Sequence, residues 1–519
     1  MQISAGSIPM KNDLSGLKAI LEAARIKNGV PGMSVAILYK GEVVFAEGLG
    51  KRNEHQPFTK EETIAPIQSL TKAFTATAIG QLVAEGKMDW STTPVNMYLP
   101  EFELKDPVLT SQLNLDDLLS HRTPLSPELE ITWYRSRESR RDLIKRLRHA
   151  EMPSKLSTTL NYSNIMYGVA GEAAANVAGT SYEQVVHDKI IEPLKLSNTG
   201  FSQSAMKKLP NHASPYYANS FEDAQKGEFQ ENEYDEIYMA DSPAGDIHSN
   251  VLDLLRWGKC IMDGGKVNGE QVLDKKNIET TLTPHNINVW EKRTSEFAIA
   301  QNYGLGWALD TFKGHNYYCH GGAYPGSRAF LMIFPDDDLV IAHLANIQLT
   351  SLLYYSSLYI ADMFLDLSFT QDWLFDDAVK ETSDSYKMED GERERRLPLQ
   401  IKNRASVLPR EELAGEFETP LFGRVTITTV KVPRCKGDRD EGGDGKKEES
   451  ELVIQYNNYK SILEHYHFDS FKAVFTDLGE TFAILVNYQT GSDGHVSGLT
   501  MDLNALELIC FTKVKKPVE

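Results

Sequence analysis

The sequence has little cysteine and no long apolar run. Its 519 residues include only four cysteines, which lie far apart and form no Cys-x-x-Cys pair. Such cysteines indicate reduced, mostly structural thiols in a reducing compartment. No uncharged apolar run reaches about 18 residues, so no transmembrane helix is expected. Residues 1–10 lack a basic segment followed by an apolar core, so no secretory signal is visible.

Positive charge is also scarce. The chain has 54 lysines and arginines against 73 aspartates and glutamates, which gives a net charge of −19. This charge argues against partners such as nucleic acid or an anionic membrane. The reduced cysteines and the missing signal predict a cytoplasmic protein that acts on an intracellular substrate. The length is too great for one core and predicts two or three domains.

Strand patterns stand at both ends of the first two thirds of the chain. Residues 33–39 and 43–47 predict a hairpin, and residues 303–346 predict consecutive strands separated by tight turns. The region between them is largely helical in pattern, including residues 73–85. Residues 133–149 are rich in arginine and predict a solvated, helix-bearing excursion. This arrangement predicts one sheet whose edges come from distant parts of the sequence, in a domain over residues 1–368.

The last part of the chain has a different texture. Residues 369–410 are charged and poorly periodic, which predicts a linker. Short alternating runs over residues 411–519 predict a small all-β barrel or sandwich. Residues 435–450 are polar and highly charged, and they predict a disordered loop insertion between two of its strands.

A serine stands three residues before a lysine at the start of a predicted apolar helix. Ser69 and Lys72 would share one helix face, so the hydroxyl and the amine can meet. A serine is a poor nucleophile until a base takes its proton. Lysine can be that base if its pKa falls toward neutrality, which burial and a helix N-terminus favour. The same pattern occurs at Ser15 and Ser204 in surface-like settings, so the pattern alone is weak.

Two further short patterns could complete such a site. Tyr162 and Asn164 lie two apart on a loop and would point the same way, where a tyrosine can relay a proton and an amide can orient a substrate. That pattern occurs twice more in the chain. His320 and Gly322 follow an apolar strand, and glycine lets a substrate lie close to the backbone. The next N–H group, of Ala323, could then point at an oxyanion.

These three patterns, in this order and setting, resemble the penicillin-recognising serine hydrolases. More closely, the sequence resembles the class C β-lactamase-like group, which also contains D,D-peptidases, D-aminopeptidases, esterases and acyltransferases. The resemblance covers roughly residues 14–367, and residues 411–519 look like the lipocalin-like barrel attached to one branch of this group. It implies an α/β (α+β) fold with an antiparallel sheet flanked by helices, followed by the barrel. Besides the three patterns, the resemblance rests on Leu118-Leu-Ser-His-Arg-Thr123, Tyr167-Gly-Val-Ala-Gly171, Pro243-Ala-Gly245, Tyr303-Gly-Leu-Gly-Trp307, Leu413-Ala-Gly-Glu-Phe417 and Leu463-Glu-His-Tyr-His-Phe-Asp469.

The resemblance also implies a role for each matched residue. Ser69 would be acylated, and Lys72 and Tyr162 would share the work of general base and general acid. Asn164 would hold a substrate carbonyl or amide. The N–H groups of Ser69 and Ala323 would form the oxyanion hole, with His320 and Gly322 in the third motif.

Three positions depart from the group's pattern. His320 replaces the lysine of the β-lactamases, and a mostly neutral histidine suits a substrate carboxylate less well than a cation does. Arg328 could restore a carboxylate contact, or it could be an ordinary surface residue of a strand. Pro124 and Asp246 stand where the group usually has glycine, both beside the expected cleft. Efficient hydrolysis of antibiotics is therefore not expected.

We expect a serine hydrolase that forms an acyl-enzyme on an ester, amide or D-amino-acid-type substrate. The substrate would be a small molecule or peptide-like compound, and neither a metal nor an organic cofactor is expected. His465 and His467 would face one side of a strand, but no third ligand is apparent. Two alternatives stay open: an acyltransferase of secondary metabolism with the same acyl-enzyme, and a non-catalytic protein that binds a ligand.

Overall fold

The computed structural model divides the chain into two compact units. The first comprises Met1–Pro127 and Ser139–Met388, and the second comprises Glu128–Glu138 and Glu389–Glu519. The predicted loop insertion at residues 435–450 lies almost wholly outside the described residues, as do residues 1–10. The structure describes residues 14–59, 63–125, 127–136, 138–152, 156, 160–234, 240–287, 302–395, 397–432, 449–477, 480–503 and 508–514.

An antiparallel sheet forms the centre of the first unit. The first and the last strand of this sheet in sequence order are neighbours inside it. Met33 in the first strand pairs with Ala345 in the last. The prediction of one sheet built from distant parts of the sequence is confirmed. Within the described residues its nine strands lie in the order Asn286–Ile287, Asn302–Tyr303, Ala308–Phe312, His315–Tyr324, Ser327–Phe334, Leu339–Ala345, Gly32–Tyr39, Glu42–Asn53 and Gln56–Pro57.

Helices cover both faces of this sheet, so its central strands are buried along their whole length. No helix of the described chain is long and apolar enough to cross a membrane. A small three-stranded sheet, Ala65–Pro66, Ile247–Ser249 and Gly200–Phe201, lies in the same unit. The α-helices of the described residues are Leu17–Lys27, Thr71–Ala84, Val95–Tyr98, Pro107–Gln112, Leu115–Leu119, Arg140–Arg146, Asn164–Ala178, Tyr182–Val186, Gln203–Met206, Phe221–Lys226, Ser242–Gly245, Val251–Met262, Lys275–Thr281, Leu352–Phe364, Ala378–Arg395 and, in the second unit, Arg410–Leu413.

The helix Thr71–Ala84 is buried on almost every side. Apart from Lys72 and Gln81, its residues are apolar or small, and a helix of that kind belongs in the interior of a protein. Phe74 stacks on Trp257 of a neighbouring helix, with ring centroids 4.2 Å apart. This packing carries the lysine at its second position into the interior.

Two highly charged stretches of the chain, residues 133–149 and 369–410, contain more packed structure than their sequences indicate. The prediction that residues 133–149 are solvated was wrong for Trp133 and Arg140, which are buried. In the range predicted as a linker, the structure has the π-helical turn Trp373–Asp377 and then the helix Ala378–Arg395. Trp373 is buried there and donates a 2.7 Å hydrogen bond to the carboxylate of Asp362. A few buried apolar side chains hold such segments, although most of their residues are charged.

The second unit is a nearly closed all-β barrel, as predicted. Phe417, Ile454 and Phe475 lie in its core. At the seam between the two ends of the sheet, the N–H of Val474 donates to Ser461 Oγ at 2.8 Å. Among the described residues its nine strands lie in the order Tyr459–Ile462, Glu449–Tyr456, Gly423–Val432, Gly415–Thr419, Ile509–Lys513, Val496–Met501, Glu480–Thr490, Ser470–Asp477 and Glu464–His467.

Eleven residues from the middle of the sequence belong to the barrel unit. In the segment Glu128–Glu138, the carbonyl oxygens of Ile131, Thr132 and Tyr134 accept hydrogen bonds from Asn457 Nδ2 at 3.3, 3.4 and 3.0 Å. The barrel unit is therefore discontinuous in sequence.

A buried histidine of the sheet makes the stability of the first unit sensitive to pH. Burial lowers the pKa of His343 to about 3, so the folded protein keeps it neutral where the unfolded chain protonates it near pH 6.5. The stability that this histidine contributes is present above pH 6.5 and is lost as the pH falls. We expect His343→Gln to reduce the loss of unfolding free energy between pH 7.5 and 5.5 by about 1.4 kcal/mol, measured by urea denaturation. An equal loss in the variant and the wild type would contradict this.

Candidate active site

The predicted serine and lysine meet inside the first unit. Ser69 lies in the 3-10 turn Gln68–Leu70 that leads into the helix Thr71–Ala84. Lys72 is 0% exposed, and its Nζ lies 3.0 Å from Ser69 Oγ. The same nitrogen donates to Asn164 Oδ1 at 2.6 Å and to the carbonyl oxygen of Ala244 at 3.0 Å. When the amine is neutral, its two N–H groups can serve these two acceptors, and its lone pair then faces the Ser69 hydroxyl.

The other two Ser-x-x-Lys patterns have different surroundings. Lys18 is 57% exposed and forms an ion pair with Glu47 at 2.9 Å. Lys207 forms an ion pair with Glu233 at 3.0 Å. Neither environment resembles the buried position of Lys72, so the tertiary structure distinguishes one pattern from the other two.

The predicted tyrosine and asparagine also lie beside Lys72. Lys72 Nζ is 4.7 Å from the centre of the Tyr162 ring. Ser163 caps the helix Asn164–Ala178 by accepting the N–H of Met166 at 3.3 Å, so that Asn164 is the first helical residue. The carbonyl oxygen of the Asn164 side chain binds Lys72, a contact that sequence analysis did not predict. Asn164 therefore orients the lysine, and its contact with a substrate carbonyl or amide stays a prediction.

The predicted third motif lies against the backbone that precedes Ser69. A Cβ atom added to Gly322 would lie 2.1 Å from the carbonyl oxygen of Ile67, two residues before Ser69. On the next strand, Ser327 Oγ donates to the carbonyl oxygen of Pro66 at 3.0 Å. Ala323 follows Gly322 on the same strand, so its position beside the Ser69 turn fits the predicted oxyanion site.

Any side chain at residue 322 must therefore push this strand away from the nucleophile turn. We expect Gly322→Ala to lower kcat/KM for an ester substrate by about 100-fold, because a displacement near 1 Å at a reacting group costs that much. Ala329→Gly is the control, since Ala329 pairs with Gly322 and its replacement loosens the same strands without a clash. Equal activity losses in the two variants would contradict the argument.

His320 is neutral, and both of its ring nitrogens form hydrogen bonds. Its Nδ1–H donates to the carbonyl oxygen of Gly321 at 2.6 Å, and its Nε2 accepts from the Tyr303 hydroxyl at 2.9 Å. Burial, and then the charge of Lys72, lower the pKa of His320 to about 3. The third motif consequently carries no positive charge at neutral pH, which agrees with the expectation from its residue type.

Arg328 is not the ordinary surface residue that we considered as an alternative. It is 8% exposed, and its Nη1 donates to the carbonyl oxygens of Tyr324 and Ser327, each at 3.0 Å. The guanidinium thus supports the turn between two strands. Its contact with a substrate carboxylate stays a prediction.

The two positions where glycine was expected are both buried. Pro124 and Asp246 lie in the interior. Burial, and then the neighbouring carboxylates of Asp241 and Glu183, raise the pKa of Asp246 well above its usual value.

No residue group supports assigning a metal in the part of the chain that the structure describes. The His467 ring accepts the N–H of Ile401 at 3.2 Å, and the His465 ring donates to the carbonyl oxygen of Phe468 at 2.8 Å. The ligand atoms of His187, Asp188 and Glu192 lie within 4.8 Å of one another, but all three residues are exposed.

Three residues contact the predicted machinery without having been predicted to do so. Ala244 supplies a carbonyl to Lys72, Tyr303 donates to His320, and the ring of His121 lies 4.3 Å from that of Tyr162. All three lie in stretches that carry the resemblance. The sequence signal was therefore present, but it gave these side chains no role.

An antiparallel sheet flanked by helices, with a half-buried serine three residues before a buried lysine at the start of a central helix, defines a β-lactamase-like protein. The chain belongs to the Beta-lactamase family, which it matches over residues 17–353. This confirms the family that the sequence resembles.

Several known proteins are similar to this chain at low identity. The Unguisins hydrolase ungD' of Aspergillus campestris is 26% identical over 337 residues, or 61% of this chain and 58% of that protein. The octameric penicillin-binding protein homologue of Pyrococcus abyssi aligns over 96% of this chain and 100% of its own, with a TM-score of 0.58 and 21% identity. EstCE1, a hydrolase with promiscuous acyltransferase activity, aligns over 68% and 99%, with a TM-score of 0.56 and 20% identity. The solved structures support the fold. The chain spans about three fifths of the length of the Unguisins hydrolase.

Proposed function

We propose that this protein is a serine hydrolase that forms an acyl-enzyme on Ser69. The observation that carries the proposal is the position of Lys72, buried and 3.0 Å from Ser69 Oγ, with Asn164 and Ala244 accepting from its amine. A base held in this way can take the hydroxyl proton as the nucleophile attacks. Ser69 itself is half-buried, whereas Lys72 is fully buried.

The reaction has two halves in this proposal. Ser69 Oγ attacks the substrate carbonyl carbon while its proton passes to Lys72, and the N–H groups of Ser69 and Ala323 stabilise the oxyanion. The bond to the leaving alcohol or amine then breaks, and the leaving group takes a proton from Lys72 or Tyr162. Water attacks the Ser69 ester in the second half, which releases the acid and restores the hydroxyl.

The substrate in this proposal is an ester, an amide or a D-amino-acid derivative. His320 is neutral at physiological pH, so the third motif offers no cation to a carboxylate beside the scissile bond. One relative is named as a hydrolase of unguisins and a structural neighbour as a hydrolase with acyltransferase activity. These names support hydrolysis of an acyl bond, and they leave the acceptor to experiment.

The test is a panel of p-nitrophenyl esters, D-aminoacyl amides and a cephalosporin, together with a fluorophosphonate probe. We expect the probe to add its mass to the peptide containing Ser69, and ester turnover to exceed cephalosporin turnover. Added amines that divert the acyl group from water would identify an acyltransferase. A folded protein that neither turns over the panel nor reacts with the probe would favour a non-catalytic, ligand-binding role.

A further inference from the structure

His121 holds the segment that carries Tyr162 and Asn164. The N–H of Ser163, between those two residues, donates to His121 Nδ1 at 3.1 Å. The N–H of Asn161 donates to the carbonyl oxygen of His121 at 2.9 Å. One residue therefore binds this short segment at two points, immediately before the helix that begins at Asn164.

The imidazole ring of His121 also links this segment to the third motif. Its centroid lies 4.3 Å from that of Tyr162 and 4.8 Å from that of Tyr303. Tyr303 in turn donates to His320. Thus Tyr162 and the tyrosine that binds His320 both pack against the ring of His121.

Two features of His121 are unfavourable for the stability of the fold. His121 has a φ of +60°, a left-handed conformation that is unfavourable for residues with a side chain. Because Nδ1 accepts a hydrogen bond, the neutral ring carries its proton on Nε2, which has no hydrogen-bond partner among the described residues. A buried donor without a partner is destabilising. Strain of this kind is typically kept where it serves a site.

We propose that His121 is a positioning residue that holds Tyr162 and Asn164 against Lys72. The inference rests on the proposed function, and His121 acts through these side chains without touching the substrate. Burial, and then the charges of Lys72 and His320, lower the pKa of His121 well below its usual value, which keeps Nδ1 available as an acceptor.

Two variants separate the acceptor from the ring. His121→Leu removes Nδ1 and with it the hydrogen bond from the Ser163 N–H, so we expect kcat to fall about 100-fold while KM changes less than about threefold. His121→Asn keeps an acceptor near the place of Nδ1, and asparagine tolerates a positive φ. We expect its kcat to lie within about tenfold of the wild type even if the variant is more stable.

His343→Gln is the matched control, because His343 is equally buried and neutral but lies in a central strand away from Ser69. It should keep kcat within about twofold. A folded His121→Leu protein with wild-type kcat would overturn the proposal. If the leucine variant does not fold, the asparagine variant decides: a large loss of kcat, although the Ser163 amide keeps its wild-type hydrogen-exchange protection, would overturn it.

The same experiment distinguishes this inference from the proposed function. If fluorophosphonate labels Ser69 and turnover requires it, but the His121 variants keep full kcat, only the positioning role fails. If Ser69→Ala retains full activity, the proposed function fails first.

Discussion

Ser69→Ala is expected to lower kcat/KM for an activated ester by about 10⁴-fold or more, because it removes the atom that carries the acyl group. The methyl group that remains cannot form the ester, so residual turnover would come only from binding and the oxyanion donors. Stopped-flow or plate-reader assays of p-nitrophenyl ester hydrolysis measure the effect. Intact-protein mass spectrometry should find no fluorophosphonate adduct in the variant.

The chain supplies its own controls for this variant. Ser15→Ala and Ser204→Ala change the serine of the same four-residue pattern at sites where the lysine pairs with a glutamate. Both should keep wild-type activity and labelling. Full activity in Ser69→Ala, or its loss in either control, would show that the nucleophile lies elsewhere.

Lys72→Met is expected to lower kcat/KM by about 10³-fold or more, since the nucleophile then has no base within reach. Methionine is apolar and of similar length, so it can occupy the buried space. The buried carbonyl oxygen of Ala244 loses this donor, which costs about 1–3 kcal/mol of stability. Activity should therefore be measured at a temperature where circular dichroism shows the variant to be folded.

Lys18→Met and Lys207→Met are the matched controls for the lysine. Each removes an ion pair with an exposed or half-exposed lysine, and we expect less than a twofold change in activity. If Lys72→Met labels with fluorophosphonate as fast as the wild type, another group must take the proton from Ser69. Tyr162 is the next candidate, because its ring lies against the same amine.

The sequence predicted a large part of the fold for reasons of local physics. Runs of alternating or continuous apolar residues predicted the strands around Ser327–Phe334 and Leu339–Ala345 and the barrel at the C-terminus. The burial of Trp133 and Arg140 was missed, because charged neighbours dominate their local pattern. The helix Ala378–Arg395 was also missed, because few of its residues are apolar and the sequence predicted a linker there.

The candidate site shows the same division. Family resemblance indicated Ser69, Lys72, Tyr162 and the third motif, and the tertiary structure brings the first three together. The resemblance did not indicate that Asn164 would bind the lysine, nor that His121 and Tyr303 would support the neighbouring side chains. Those contacts join elements that are distant in the chain, and no local sequence pattern predicts that they meet.

The sequence by itself determined the spacing on which the proposed chemistry depends, because a separation of three residues places Ser69 and Lys72 on one face of a helical turn. Only the tertiary structure decided which of the three patterns has its lysine buried beside acceptors. Asn164 and Ala244 reach Lys72 from 92 and 172 residues away. A helix sets the spacing of its own side chains, but their surroundings depend on segments that pack from elsewhere in the chain.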